Sequence, residues 1–357
     1  GVPDGTVPTA NINTVTALAL NDLNIADLTG VEDFVALTYL SCKLNQITNV
    51  DISHNVNLTF FNGDQNQLTG LNTSQNTALT QLWCQHNEID SLDLSSNALL
   101  TDLICTDNLL TSLDLSSNPD LTIVDCHDNS LANLNITQCA SLATLLCHGN
   151  ELTNLDVTQN PVLNRLECYV NQLSELDISQ NVALKELLCS QNLLSNIDAS
   201  QNIAMVRLDA SGNQLACLNM QNGNNSNVYS FNLLGNPNLF CVQVDDASYS
   251  TTNWTNVNAS VAFSTSCPTC TVGLEENTLS NTLTVYPNPT EGVFSISIGE
   301  DHNAVRVTIT DLCGKQIQSN TYNKGQTLSL NLQEPAGVYL VLIESENQKA
   351  AVRLIKR

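Results

Sequence analysis

The chain has 357 residues, with 35 acidic against 11 basic side chains and a formal net charge of −24. That balance excludes nucleic acid, whose phosphates are gripped by clustered Lys and Arg, and an anionic membrane surface; no apolar run approaches the roughly 18 residues that a helical membrane span requires. Aromatic residues are only 4% of the total while Leu and Asn abound, which points to a repetitive scaffold rather than an ordinary enzyme core.

The length allows two or three domains, and charge places the first boundary. Residues 283–357 hold seven acidic and seven basic side chains, so the whole −24 lies in the first 282 residues, whose only cations are Lys43, Arg165, Lys185 and Arg207. Leu18, Leu20, Ile25, Leu28 and Val31 open this acidic part as an irregular, cysteine-free coil. A repeat then takes over, and a repeat decides the fold. Cysteines stand at 42, 84, 105, 126, 147, 168 and 189, with Gly63 in the missing place and Ala210 next in line. Asparagines keep the same 21-residue step from Asn45 to Asn213, and a second series runs from Asn55 to Asn202 with Cys139 as a substitute. In the unit 100–120, Leu103 and Cys105 alternate inward on a short strand, Asn108 stands at the turn, Leu113 and Leu115 face inward on the opposite side, and Asn118 makes the second turn. Buried amides at those turns are expected to satisfy backbone groups of neighbouring coils. Neither half has room for a useful helix, so the expected architecture is mainly β.

This unit resembles the short 21-residue bacterial leucine-rich repeats, over roughly residues 12–240. The resemblance implies a solenoid of about ten coils with an N-terminal cap. Seven core thiols are expected in the cysteine column, since Cys behaves as a small buried hydrophobe and a line of sulfurs does not offer the four converging ligands of a zinc site. Beyond Phe231, Leu233 and Asn236 the pattern gives way to a cap over residues 241–270 with Trp254. A disulfide is expected there, Cys241 with Cys267 being favoured while Cys217 and Cys270 compete. Clustered end cysteines suit an oxidising, extracytoplasmic compartment.

Residues 271–282 read as a polar linker. From 283 onward Phe294, Ile296 and Ile298, then Val305, Val307 and Ile309, then Leu328, Leu330 and Leu332, then Val338, Leu340 and Leu342 mark short alternating strands, the pattern of a small Ig-like β-sandwich. Three motifs resemble the type A C-terminal sorting domain of the Bacteroidetes type IX secretion system: Val285-Tyr286-Pro287-Asn288-Pro289, Gly337-Val338-Tyr339, and Lys349 through Arg353 to Lys356, with Arg353 where that family often has Lys. The resemblance implies export across the outer membrane, with the translocon, a shuttle protein and a sortase as partners and residence at the cell surface or outside the cell. No signal peptide is read at the start, and Gly1 is expected to follow a removed one.

No constellation of nucleophile, base and stabiliser stands out, so no catalytic residue, metal or cofactor is expected. His127 and His148 share a register beside Asp125 and Asp128, but Cys126 and Cys147 point into the core, and the imidazoles are expected to be structural or solvent-facing. The column Asp93, Asp114, Asp156, Asp177 and Asp198, interrupted by Asn72, Asn135 and Asn219, is expected to cap backbone groups near a turn rather than hold calcium. Alternation sends positions three before, one before and one after each cysteine outward. Tyr39, Phe60, Trp83, Ile104, Ile123, His127, Leu146, His148, Tyr169 and Leu188 thereby fall on one face, expected to gather nearly all the solenoid's exposed aromatic and large apolar groups and to bind a protein or glycan. The expected function is recognition at the cell surface, in adhesion or surface motility, with an accessory polysaccharide-binding role as the alternative.

Overall fold

The computed structural model describes residues 12–267, 284–310, 316–335, 337–345 and 348–357. The chain divides into two units, residues 1–270 and 271–357. Cys270 and residues 271–282 lie outside the described residues.

The first unit follows from its repeat. The segment leading into each column cysteine forms a three-residue strand, and these seven with four equivalents that lack the cysteine, eleven strands from Ala17–Ala19 through Tyr39–Ser41, Asp102–Ile104 and Arg165–Glu167 to Ser230–Asn232, pair in parallel into one continuous sheet. Each strand pairs with the strand one coil on, Leu103 opposite Leu82 and Val124, for example. The repeat count of about ten is exceeded by one because the irregular first coil contributes Ala17–Ala19 to the sheet. The opposite side is mostly turn. It forms ladders only at Ser112–Asp114 with Asn133–Asn135, and at Asn196–Asp198, Cys217–Met220, Cys241–Val244 and Ala262–Ser264.

Between the two sides lies one apolar core, in which Leu82, Leu103, Val124 and Leu145 alternate with Cys84, Cys105, Cys126 and Cys147, all fully buried. The seven column cysteines and Cys139 are free thiols. Burial pushes the Cys84 and Cys168 thiols up to about 12, so they stay protonated and unreactive at neutral pH.

Three ladders of side-chain hydrogen bonds run from coil to coil. In the first, Asn108 donates to the carbonyls of Cys84, Cys105 and Thr106 at 3.0–3.1 Å and accepts from the Ile89 N–H. In the second, Asn118 donates to Leu94 and Asn97, and Cys139 replaces the amide with its thiol, aimed at the Leu115 and Asn118 carbonyls. A third was not read from the sequence: the hydroxyls of Thr38, Thr59, Thr80, Thr101 and Thr122 each donate to a carbonyl of the preceding coil.

At the far end Asp246 caps the only α-helix among the described residues, Ala247–Asn253. Trp254 stacks on Phe231 at 4.0 Å and meets Phe263 edge-on, closing the core. Cys241 and Cys267 form the favoured disulfide across the last two strands, and Cys217 is disulfide-bonded as well.

The second unit is an antiparallel sheet of five strands, Thr284–Tyr286, Val293–Thr310, Gln316–Asn331, Gly337–Ser345 and Gln348–Lys356. Two are longer than the sequence pattern suggests. Val293–Thr310 joins two apolar runs into one strand, with its pairing interrupted between Ser297 and His302. Phe294, Ile296, Ile298, Val305, Val307, Ile309, Leu328, Leu330 and Leu332 are buried in one core as the alternation indicates. At the fourth strand the buried phase is Tyr339, Val341 and Ile343, whereas Val338 and Leu342 are exposed.

Candidate interaction face

The eleven-stranded sheet presents its outward side chains as three columns, 21 residues apart, spaced by about 4.8 Å per coil. Aromatic rings in such columns meet face to face. Tyr39 and Phe60 stack with centroids 4.6 Å apart and planes within 4°, and Phe60 meets Trp83 edge-on at 5.1 Å. Two coils beyond Trp83, His127, His148 and Tyr169 form a continuous stack at 4.3 and 4.1 Å. Ile104 lies between the two groups, and Ile123 and Leu146 share the coils of His127 and His148, all half-buried or exposed.

The expected residues therefore share one face, with one exception. Leu188 is buried, because it pairs with Glu167 and Asp209 and runs beside the line Arg165–Glu186–Arg207, whose long stems cover apolar surface. The expectation that large exposed apolar groups gather on this face also needs correction. Val56, Val162, Val182 and Ile203 in one turn, and Leu44, Leu109, Val170 and Leu193 in the other, are more exposed than Ile123. Strand alternation is silent about turn residues, and scattered exposed apolar groups are ordinary. What sets the face apart is its stacked rings.

Electrostatics differ between its ends. The His127 Nδ1 lies 2.6 Å from Asp125 Oδ1, and that hydrogen bond raises the imidazole above its ordinary range. Burial, followed by the charge of His127, lowers His148, whose Nδ1 is buried 3.7 Å from Glu167 Oε2. Glu167, itself buried, accepts from Arg165 Nε at 2.8 Å. Near the other end, burial raises the Asp64 carboxyl. Among the described residues no group of three or more His, Cys, Asp or Glu converges as a metal site.

On the opposite side each carboxylate of the aspartate column accepts from the backbone N–H two residues on, Asp93 from Ser95, Asp114 from Ser116, Asp156 from Thr158, Asp177 from Ser179 and Asp198 from Ser200, and Asn72, Asn135 and Asn219 do the same. This is the turn-capping role read from the sequence.

In the second unit the three sorting motifs meet. Asn288 Oδ1 accepts from the Ile355 N–H at 2.9 Å, Thr290 N–H donates to the Ile355 carbonyl, and Gly337 and Tyr339 pair with Lys356 and Leu354. Tyr339 donates its hydroxyl to Pro335, and Lys356 donates to the Glu334 carbonyl. Tyr286, Pro287, Asn288 and Pro289 are exposed. The side chains of Lys349 and Arg353 lie outside the described residues.

Residues 284–357 match the family described as the secretion system C-terminal sorting domain. The chain is similar to the functional domain of InlJ from Listeria monocytogenes, described as including a cysteine ladder, at 25% identity and a TM-score of 0.60, covering 98% of this chain and 92% of that one. A leucine-rich-repeat protein of Leptospira interrogans gives 18% identity and a TM-score of 0.56, covering 72% and 75%. The leucine-rich-repeat ectodomain of the Arabidopsis thaliana receptor kinase GASSHO1/SCHENGEN3 gives 18% and 0.51, covering 72% and 37%. No curated protein matches the chain. Fold and tail together define an exported leucine-rich-repeat solenoid. It carries a type IX sorting domain and is delivered to the cell surface or beyond. No helix among the described residues is long and apolar enough to cross a membrane.

Proposed function

We propose that the solenoid is the non-catalytic recognition part of a surface protein acting in adhesion or motility, and that its cysteine-strand face binds a protein partner. The sorting domain serves as the export and anchoring signal, read by the translocon, shuttle protein and sortase. The observation that carries the choice of a protein is ring orientation. A sugar packs its C–H face on the open face of an aromatic ring, but in the stacks Tyr39–Phe60 and His127–His148–Tyr169 the faces cover one another and edges point outward. Ring edges, with Ile104, Ile123 and Leu146 on the same face, suit the mixed apolar and polar surface of a protein. One feature favours the alternative of accessory polysaccharide binding: Tyr39 pairs with Ala17, whose small side chain leaves the outer ring face uncovered.

The test compares the full chain with its Tyr39→Ala/Trp83→Ala variant against purified outer-membrane proteins and surface polysaccharides of the producing bacterium. A protein bound by the native chain and at least about tenfold more weakly by the variant is the expected result. A polysaccharide showing that pattern moves the assignment to the alternative, and equal binding by both chains removes the face from the account.

A further inference from the structure

The second ring stack stands in a setting unlike the first. The columns beside it hold Asp125, Glu167, Arg165, Glu186 and Arg207, and Asp128 lies at the turn, its Oδ2 3.9 Å from His127 Nε2. With Asp209 on the Arg207 strand, five carboxylates against two guanidiniums leave three net negative charges while both imidazoles are neutral. Protonating both imidazoles offsets two of them. The rest of the solenoid reinforces the sign, since Lys43 and Lys185 are its only other cations.

We propose that this patch, centred on Asp125, His127, Asp128 and His148, takes a lysine- or arginine-bearing segment of the protein partner and releases it on mild acidification. The inference rests on the reading that the cysteine-strand face binds a protein. Charge complementarity selects a basic segment. A divalent cation fits poorly, because parallel stacked imidazoles 4.3 Å apart send their lone pairs side by side instead of converging on one ion.

The two imidazoles divide the work. Their surroundings are Asp125, Asp128, Glu167 with its Arg165, and the Tyr169 ring that covers the outer face of His148. His127, held up by Asp125, takes its proton first, above the ordinary histidine range. His148, held down by burial and then by the charged His127, follows below it. Their effects on folding oppose. The raised group stabilises the fold at low pH and loses that contribution as pH rises through its folded value. The lowered group stabilises at high pH and loses its contribution as pH falls below the unfolded value.

The test uses the full chain and a fluorescein-labelled octalysine peptide at about 150 mM salt, where diffuse attraction is screened beyond roughly 8 Å. Asp125→Asn/Asp128→Asn is expected to weaken binding at least about fivefold at pH 7.5, and Asp177→Asn/Asp198→Asn, the same charge change on the other side, less than about twofold. Equal losses mean bulk charge alone and overturn the patch. Lowering the pH to 5.5 is expected to weaken the native chain at least about fivefold and His127→Gln/His148→Gln hardly at all. An undiminished pH effect in that variant overturns the imidazole role. Loss of the patch preference while Tyr39→Ala/Trp83→Ala still abolishes binding of the protein partner defeats this inference and leaves the broader function standing.

Discussion

Val170 sits with φ at 54°, in a column where Gln65, His86, Asp107, Asp128 and Gln191 share the left-handed conformation and Gly149 and Gly212 occupy it freely. A β-branched residue there is strained by about 1–2 kcal/mol. Val170→Asn is expected to stabilise the solenoid by about 1 kcal/mol in urea unfolding; a loss of stability would show that the valine's contacts outweigh its backbone cost. The column was invisible in the sequence because its residue types vary while the following asparagine does not. The threonine column is present in the sequence, at 38, 59, 80, 101 and 122, but a Thr just before each strand looks like ordinary β-rich composition. Cys139 has a residue-level explanation. The Oδ1 atoms of Asn55, Asn76, Asn118, Asn160, Asn181 and Asn202 are buried and have no hydrogen-bond partner among the described residues, Asn97 alone accepting from the Thr73 hydroxyl, so the ladder needs mainly donors and a thiol can stand in.

At the scale of the coil, Gly63 breaks the cysteine column for a packing reason. Phe61 fills the inward leucine position of that strand, and a Cβ on Gly63 would lie 2.8 Å from Phe61 Cε1 and 3.1 Å from Leu68 Cδ1. Large and small residues have been exchanged within one coil. Gly63→Cys alone is expected to cost about 1–3 kcal/mol through overpacking, and Phe61→Leu alone to cost about 1–2 kcal/mol through a cavity. Together they rebuild the consensus coil, so a double-mutant cycle should give a coupling of at least about 1 kcal/mol; additive losses would refute the exchange. The coils were readable because inward residues recur at a fixed step. The fourth strand of the sorting domain was less so. Residues 338–343 are apolar in both phases, so alternation picked out Val338, Leu340 and Leu342, whereas it is the phase of Tyr339, Val341 and Ile343 that packs into the core.

On the whole-molecule scale the division of charge matches a division of labour. Residues 283–357, neutral in charge, hold the secretion sorting domain, and the whole −24 lies in the preceding residues that include the solenoid. The stacked-ring face was legible in outline, since strand alternation put its aromatic positions on one side of the sheet. What it could not supply was ring orientation, on which the proposed preference for a protein over a sugar rests, or the shielding of Leu188 by neighbouring ion pairs. The most direct test of the face places a photo-crosslinking phenylalanine analogue at position 60 or 144 of the full chain on producing cells, and at 177 or 198 on the opposite side. Crosslinks from 60 and 144 into one and the same protein, with none from 177 and 198, are the predicted result; crosslinks from 177 and 198 with silence at 60 and 144 would contradict it.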